Sequence, residues 1–357
     1  MKTMAEVLGL GVTHYPPLSG TNDNLTRVFQ RALADPRLPE ELRDPANWPA
    51  PARAEWASDE GRQAGLRHRE ALVAQFARAR QALDEFDPEV VVIWGDDQYE
   101  NFREDIVPPY SVLAYDDLTV RPWEHSAESN VMGDHNVWNE PKDHEIRVRG
   151  HREAAKHFTT ALLEQNIDVS YAYKPLHHPG FPHAFLNTVL YLDYERRGFD
   201  YPVVAFPINC YGRRVISYQG NISALGDIRE LDPPSPSPAR VMEVGAAVAR
   251  AAAESPWRVA LIASSSWSHS FLVESTHHLF PDTAADQRLY RALVDGDLDE
   301  WRSTGLAQAE AAGQQELLNW WALLGAMGEL GRTRPTWSEF VGSHLFVSDK
   351  VFAAYRP

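Results

Sequence analysis

"PEVVVIWGDDQYENF", residues 88–102, decides the fold. Val90 to Trp94 form an unbroken apolar run with no polar residue at alternate positions. A strand with one wet face alternates in polarity, whereas a strand covered by helices on both faces reads as such a run. The run then breaks into Asp96, Asp97, Gln98 and Glu100, so a buried strand delivers the chain directly into polar chemistry. In open α/β sheets that carboxyl edge is where ligands bind.

The flanking segments fit the same pattern. Residues 60–86 space their apolar positions as a long amphipathic helix, and "EVLGLGVTH" (6–14) reads as a first strand ending at His14, just before a Pro-Pro loop. Downstream, a helix over 150–165 leads into "DVSYAYKP" (168–175). An apolar strand follows over 201–212, then an Ala-rich helix over 238–255 and a strand over 257–269. Helices dominate the expected C-terminal third, including 313–330. The alternation predicts an α/β protein with a central, mostly parallel or mixed sheet flanked by helices, forming a single catalytic domain over 1–357. Residues 114–148 are polar and acidic, carry Trp123 and Trp138 and lack periodicity. That is too long for a connector and is expected to be a lid or binding-loop insertion.

Composition narrows the function classes. With 44% hydrophobic and 24% charged residues the chain has the balance of a soluble globular protein. No run of about 18 apolar residues exists, so no membrane span is expected. The N-terminus lacks the apolar stretch and cleavage site of a secretion signal, and a cytoplasmic location is the expectation. A net charge of −16 with only isolated arginine pairs argues against nucleic acid as a partner. The single cysteine, Cys210, rules out an internal disulfide and a cysteine-rich zinc site.

The chain has no nucleophile elbow, phosphate loop, dinucleotide fingerprint or zincin motif. What it has is polar chemistry at predicted strand ends: His14; Asp96 to Glu100; His177, His178 and His183 in "KPLHHPGFPH"; and His269 in "ASSSWSHSFL". Singly, each has a plainer explanation, a hydrogen-bonded structural ring for a histidine or a loop cap for an aspartate. Glu316 lies in the apolar "GQQELLNWW", and a buried carboxylate there needs a cation or metal. His68, His135, His144 and His151 are expected to be exposed. Glu274, His277 and His278 offer a possible second metal site. Histidines with a carboxylate and no thiols suit a mononuclear site with open positions, the non-haem Fe(II) arrangement.

"GVTHYPPL", "VVIWGDDQYENFREDIVPPYSV", "FPINCYG" and "SSSWSHSFL", in this order, resemble the class III extradiol ring-cleavage dioxygenases, the superfamily of the catalytic β subunit of protocatechuate 4,5-dioxygenase. The resemblance runs in short blocks from about residue 5 to 330. It implies an Fe(II) cofactor, an aromatic catechol-type substrate, O₂ and frequent homo-oligomers, in some relatives with a small second subunit. Carried over, His14 matches the first iron ligand, Glu316 the carboxylate ligand and His269 the acid/base histidine. His178 falls where the family has a further active-site histidine, although Pro179 follows it instead of glycine. The family's second iron histidine is missing. Gapless alignment puts Gln98 there, with Asp97 or Asp96 as alternatives. Tyr211, Arg213 and Arg214 are possible contacts for a substrate carboxylate, arginine because it binds carboxylate bidentately. Two rivals remain on the sequence alone: a metal-dependent hydrolase on the same fold, and a binding or scaffold homologue that has lost a ligand.

Overall fold

The structure is a computed structural model, described for residues 5–124, 135–220 and 225–357. Its strands are β1 (Val7–Val12), β2 (Val90–Gly95), β3 (Ser111–Leu113), β4 (Leu118–Val120), β5 (Ile146–Val148), β6 (Ser170–Ala172), β7 (Val203–Pro207), β8 (Val259–Ser264), β9 (Trp337–Val341) and β10 (Lys350–Tyr355). An eight-stranded mixed sheet has the order β6-β3-β7-β2-β8-β1-β10-β9. At its centre β7, β2, β8 and β1 run parallel, so their carboxyl ends share one edge. β10 and β9 add antiparallel at one side. Helices dominate the C-terminal third as expected, but its last two strands close the sheet, and β10 is buried along its whole length.

The unbroken apolar run of β2 is explained by the two layers that cover it. Val90, Val92 and Trp94 join one core with the helices Arg152–Glu164, Pro238–Glu254 and Leu318–Glu329. Val91 and Ile93 join the other, with the helices Arg62–Phe86 and His183–Leu192. His68 on the helix Arg62–Phe86 is therefore buried, against Phe346 at 4.9 Å between ring centroids, and not exposed as its polar sequence neighbours suggest.

The helices Pro238–Glu254 and Leu318–Glu329 approach through backbone. A Cβ on Gly245 would lie 1.9 Å from the Ala322 carbonyl oxygen, and one on Gly325 would lie 2.1 Å from that of Met242. Gly245→Ala is expected to force the helices apart and destabilise the protein by about 1–3 kcal/mol, read as a lower melting temperature. An unchanged melting temperature would contradict the close contact.

The described parts of the 114–148 segment are anchored by aromatic side chains. β4 and β5 pair as a small ribbon. Trp123 stacks on Trp138 at 5.6 Å, and Arg196 lies 3.6 Å over the Trp138 ring. The Val137 N–H donates to the Ser19 carbonyl, tying the insertion to the loop that follows His14. The tip of the expected lid, 125–134, lies outside the described residues. Among those described, no helix is long and apolar enough to cross a membrane.

Candidate metal centre and active site

The shared carboxyl edge of the parallel strands gathers the candidate residues. His14 follows β1, Asp96 follows β2 directly, Tyr211 follows β7 and His269 follows β8. Glu316 arrives on the short 3-10 helix Gln315–Leu317, and His183 opens the helix His183–Leu192.

His14 is the hub. Its Nδ1 lies 3.0 Å from the Ser264 carbonyl oxygen, an acceptor, so the proton sits on Nδ1 and Nε2 is bare. That Nε2 lies 3.4 Å from Glu316 Oε2 and 3.5 Å from Asp96 Oδ1. Burial, then the neighbouring His183 and His269, push the His14 pKa well below the ordinary histidine value, so the ring is neutral. Burial drives the carboxyls the other way. Asp96 is raised, and Glu316 is raised well above its usual value, with the Asp96 charge adding to burial. Neither Asp96 oxygen nor Glu316 Oε2 has a well-formed hydrogen bond, although all three are buried; the Gln98 side chain only comes near enough to Asp96 to offset part of its burial. Dry carboxylate oxygens facing a bare imidazole nitrogen are costly unless a cation satisfies them. Two oxygen donors and one nitrogen donor fit a first-row divalent metal.

Gln98 is placed differently from its expected role. Its Nε2 donates to Tyr211 Oη at 2.9 Å and to Glu316 Oε1 at 3.1 Å, while the Tyr211 hydroxyl donates to the same Oε1 at 2.7 Å. The end of the amide that meets the cluster is therefore the one that cannot ligate, and the reversed amide would set its oxygen against a carboxylate. Gln98 and Tyr211 together orient Glu316. Asp97 caps the loop, accepting the N–H groups of Glu100, Asn101 and Phe102 at 3.0–3.3 Å. The carboxylate that enters the cluster is Asp96.

His269 Nε2 lies 3.4 Å from Glu316 Oε1, and its Nδ1 has no well-formed hydrogen bond. Burial, then the charge of buried Lys350, lower its pKa to about 3, which keeps the imidazole neutral. His178 is half-buried, accepts the Gly180 N–H at 3.2 Å and stands outside the tight cluster. Arg213 does not reach the cluster: it is 44% exposed and pairs with Glu310 at 3.5 Å. Arg214 lies over Tyr218 and near Glu274. His278 Nε2 is 3.2 Å from Glu274, and no third ligand completes a site there among the described residues.

Two residues seen at predicted strand ends, His183 and Glu100, were given no role from sequence. Among the described residues, the one set of three His, Cys, Asp or Glu side chains with ligand atoms close together is His14, Asp96 and His183, within 4.8 Å of one another. His183 packs edge-on against His14 at 5.0 Å, and Glu100 holds it twice, accepting the His183 backbone N–H and pairing with Nδ1, each at 2.8 Å. Burial lowers the His183 pKa, but Glu100 outweighs it and raises the ring to about 10. The available signal was "FPHAFLNTVLYL": a histidine right after a helix-starting proline, opening a nearly all-apolar helix.

A family model described as the catalytic LigB subunit of aromatic ring-opening dioxygenase matches residues 230–353, the part that carries His269 and Glu316. A 2,3-dihydroxyphenylpropionate/2,3-dihydroxicinnamic acid 1,2-dioxygenase from Paraburkholderia phymatum is 27% identical over 248 residues, which are 67% of this chain and 62% of that protein. One of the same name from Photorhabdus laumondii subsp. laumondii is 22% identical over 194 residues, 54% of this chain and 47% of its own length. The match thus spans less than two thirds of either relative. These matches support the class III extradiol ring-cleavage dioxygenase superfamily for this chain, most directly over residues 230–353.

Proposed function

We propose that the protein is a non-haem Fe(II)-dependent dioxygenase that opens a catechol-type ring in the extradiol manner. The observation that carries this is the buried meeting of His14 Nε2, Glu316 Oε2 and Asp96, with oxygens that lack well-formed hydrogen bonds, beside the neutral His269. His14, Glu316 and Asp96 would hold the iron. Bound there, Fe(II) would supply chelation of two adjacent hydroxyls and a coordination position for O₂. The relatives' names add a substrate class, a dihydroxylated ring bearing an acid side chain.

His269 then acts as general base. Its imidazole is neutral, the Trp267 and Gly313 backbone steadies the ring, and its Nε2 borders the ligand Glu316, so it can take a hydroxyl proton from a bound catechol and return it later in the reaction. Tyr211 and Gln98 fix the Glu316 carboxylate, which preserves the ligand geometry while substrate enters. Ser264 fixes the tautomer of His14.

The test is oxygen uptake by the Fe(II)-loaded protein with 2,3-dihydroxyphenylpropionate and simple catechols, with resorcinol as a control lacking adjacent hydroxyls. Uptake with the catechols alone, together with a visible ring-opened chromophore, supports the reading. No uptake with any catechol at full iron loading would overturn it.

A further inference from the structure

We propose that His183, held by Glu100, is itself a metal ligand at this centre and supplies from a different element the second imidazole that the loop after β2 lacks. The inference rests on the metal-binding reading above but not on the ring-opening chemistry.

The position after β2 offers the acidic Asp96 and the donor end of Gln98, so no imidazole comes from that loop. The helix His183–Leu192 brings one in instead. The His183 ligand atom falls within 4.8 Å of those of His14 and Asp96. Both rings commit Nδ1 to an acceptor, although His183, unlike His14, holds its Nε2 proton until a metal displaces it. His14 commits Nδ1 to a carbonyl oxygen at 3.0 Å, and His183 commits Nδ1 to a carboxylate oxygen at 2.8 Å. In each ring this leaves Nε2 for a metal, bare in His14 and freed in His183 by loss of its proton on binding, the arrangement typical of metal-ligating histidines, whose other nitrogen donates to a carboxylate or carbonyl. Glu100 also accepts the His183 backbone N–H, so it fixes both the start of the helix and the ring. The two Asp96 oxygens, buried and without well-formed hydrogen bonds, are the independent sign that a cation belongs between these side chains. The donor set becomes two imidazoles and two carboxylates. The His183 side chain is 25% exposed against 2% or less for His14, Asp96 and Glu316, so His183 marks the side on which the centre opens.

The experiment uses the full chain loaded with one equivalent of Co(II), whose paramagnetism shifts the exchangeable N–H protons of bound imidazoles far from other proton resonances. Wild type is expected to show two such resonances that vanish in D₂O, from the Nδ1–H groups of His14 and His183. His183→Gln is expected to lose one and to weaken Co(II) binding at least about 100-fold, and Glu100→Gln to weaken it about 10–100-fold while keeping both. A single resonance in wild type overturns the proposal without reliance on any variant. Two resonances that both persist in a folded His183→Gln protein also overturn it. The count separates this proposal from the function: two imidazoles with no catechol turnover would leave His183 a ligand while removing the dioxygenase reading, and turnover with one imidazole would do the reverse.

Discussion

Glu316→Gln is expected to abolish stoichiometric iron binding while raising the melting temperature of the metal-free protein. The two effects have one origin. Glu316 is buried, its Oε2 lacks a well-formed hydrogen bond, and it shares the pocket with the buried Asp96. Without a cation the two carboxyls repel and resist ionisation, so both have raised pKa values. A neutral amide of the same shape removes that repulsion and the cost of ionising a carboxyl in a buried site. It also removes a charged oxygen ligand, and even the loss of a group that only supports a ligand costs about 10–100-fold in affinity. The pH dependence of the metal-free wild type has a definite sign. A carboxyl with a raised folded pKa keeps its proton where the unfolded chain has released it, so its own contribution to stability is greatest at acid pH and falls as pH rises through the folded value. Glu316→Gln should flatten that fall, and thermal melts across pH check both points. A variant that binds iron like wild type, or that melts lower at neutral pH, contradicts the assignment.

His269→Gln is expected to leave iron binding intact and to lower kcat by about 10²–10⁴, the usual contribution of a general base. Its Nε2 touches Glu316, but its neutral ring gives it a proton-transfer role and not a ligand role. Iron content and substrate KM should change little while turnover collapses. Loss of iron in this variant would move His269 into the ligand set.

Much of the fold was legible because its causes are local. The apolar runs of β1, β2, β7 and β8 announce strands covered on both faces, and the helices between them follow from apolar spacing. His14, His269 and Glu316 were candidates from short blocks, and their contacts of 3.4 Å form where two strand ends and a short 3-10 helix meet. Which residue after β2 enters the cluster was not legible. Gapless alignment favours Gln98, but Asp96 comes directly off Gly95 at the strand end, whereas Asp97 turns back to cap the loop. The His183–Glu100 pair links residues 83 positions apart through the packing of a helix on the sheet, and no local pattern encodes that approach. His68 was misjudged for a related reason: its sequence neighbours are polar, but it lies on the face of its helix that packs against Phe346.

The most direct measurement is the fate of molecular oxygen. The Fe(II)-loaded protein, given 2,3-dihydroxyphenylpropionate under ¹⁸O₂, is predicted to place both labelled atoms in a single ring-opened product, and His14→Ala is predicted to form none. Product that carries oxygen only from water, or substrate recovered unchanged by fully iron-loaded protein, would contradict the account.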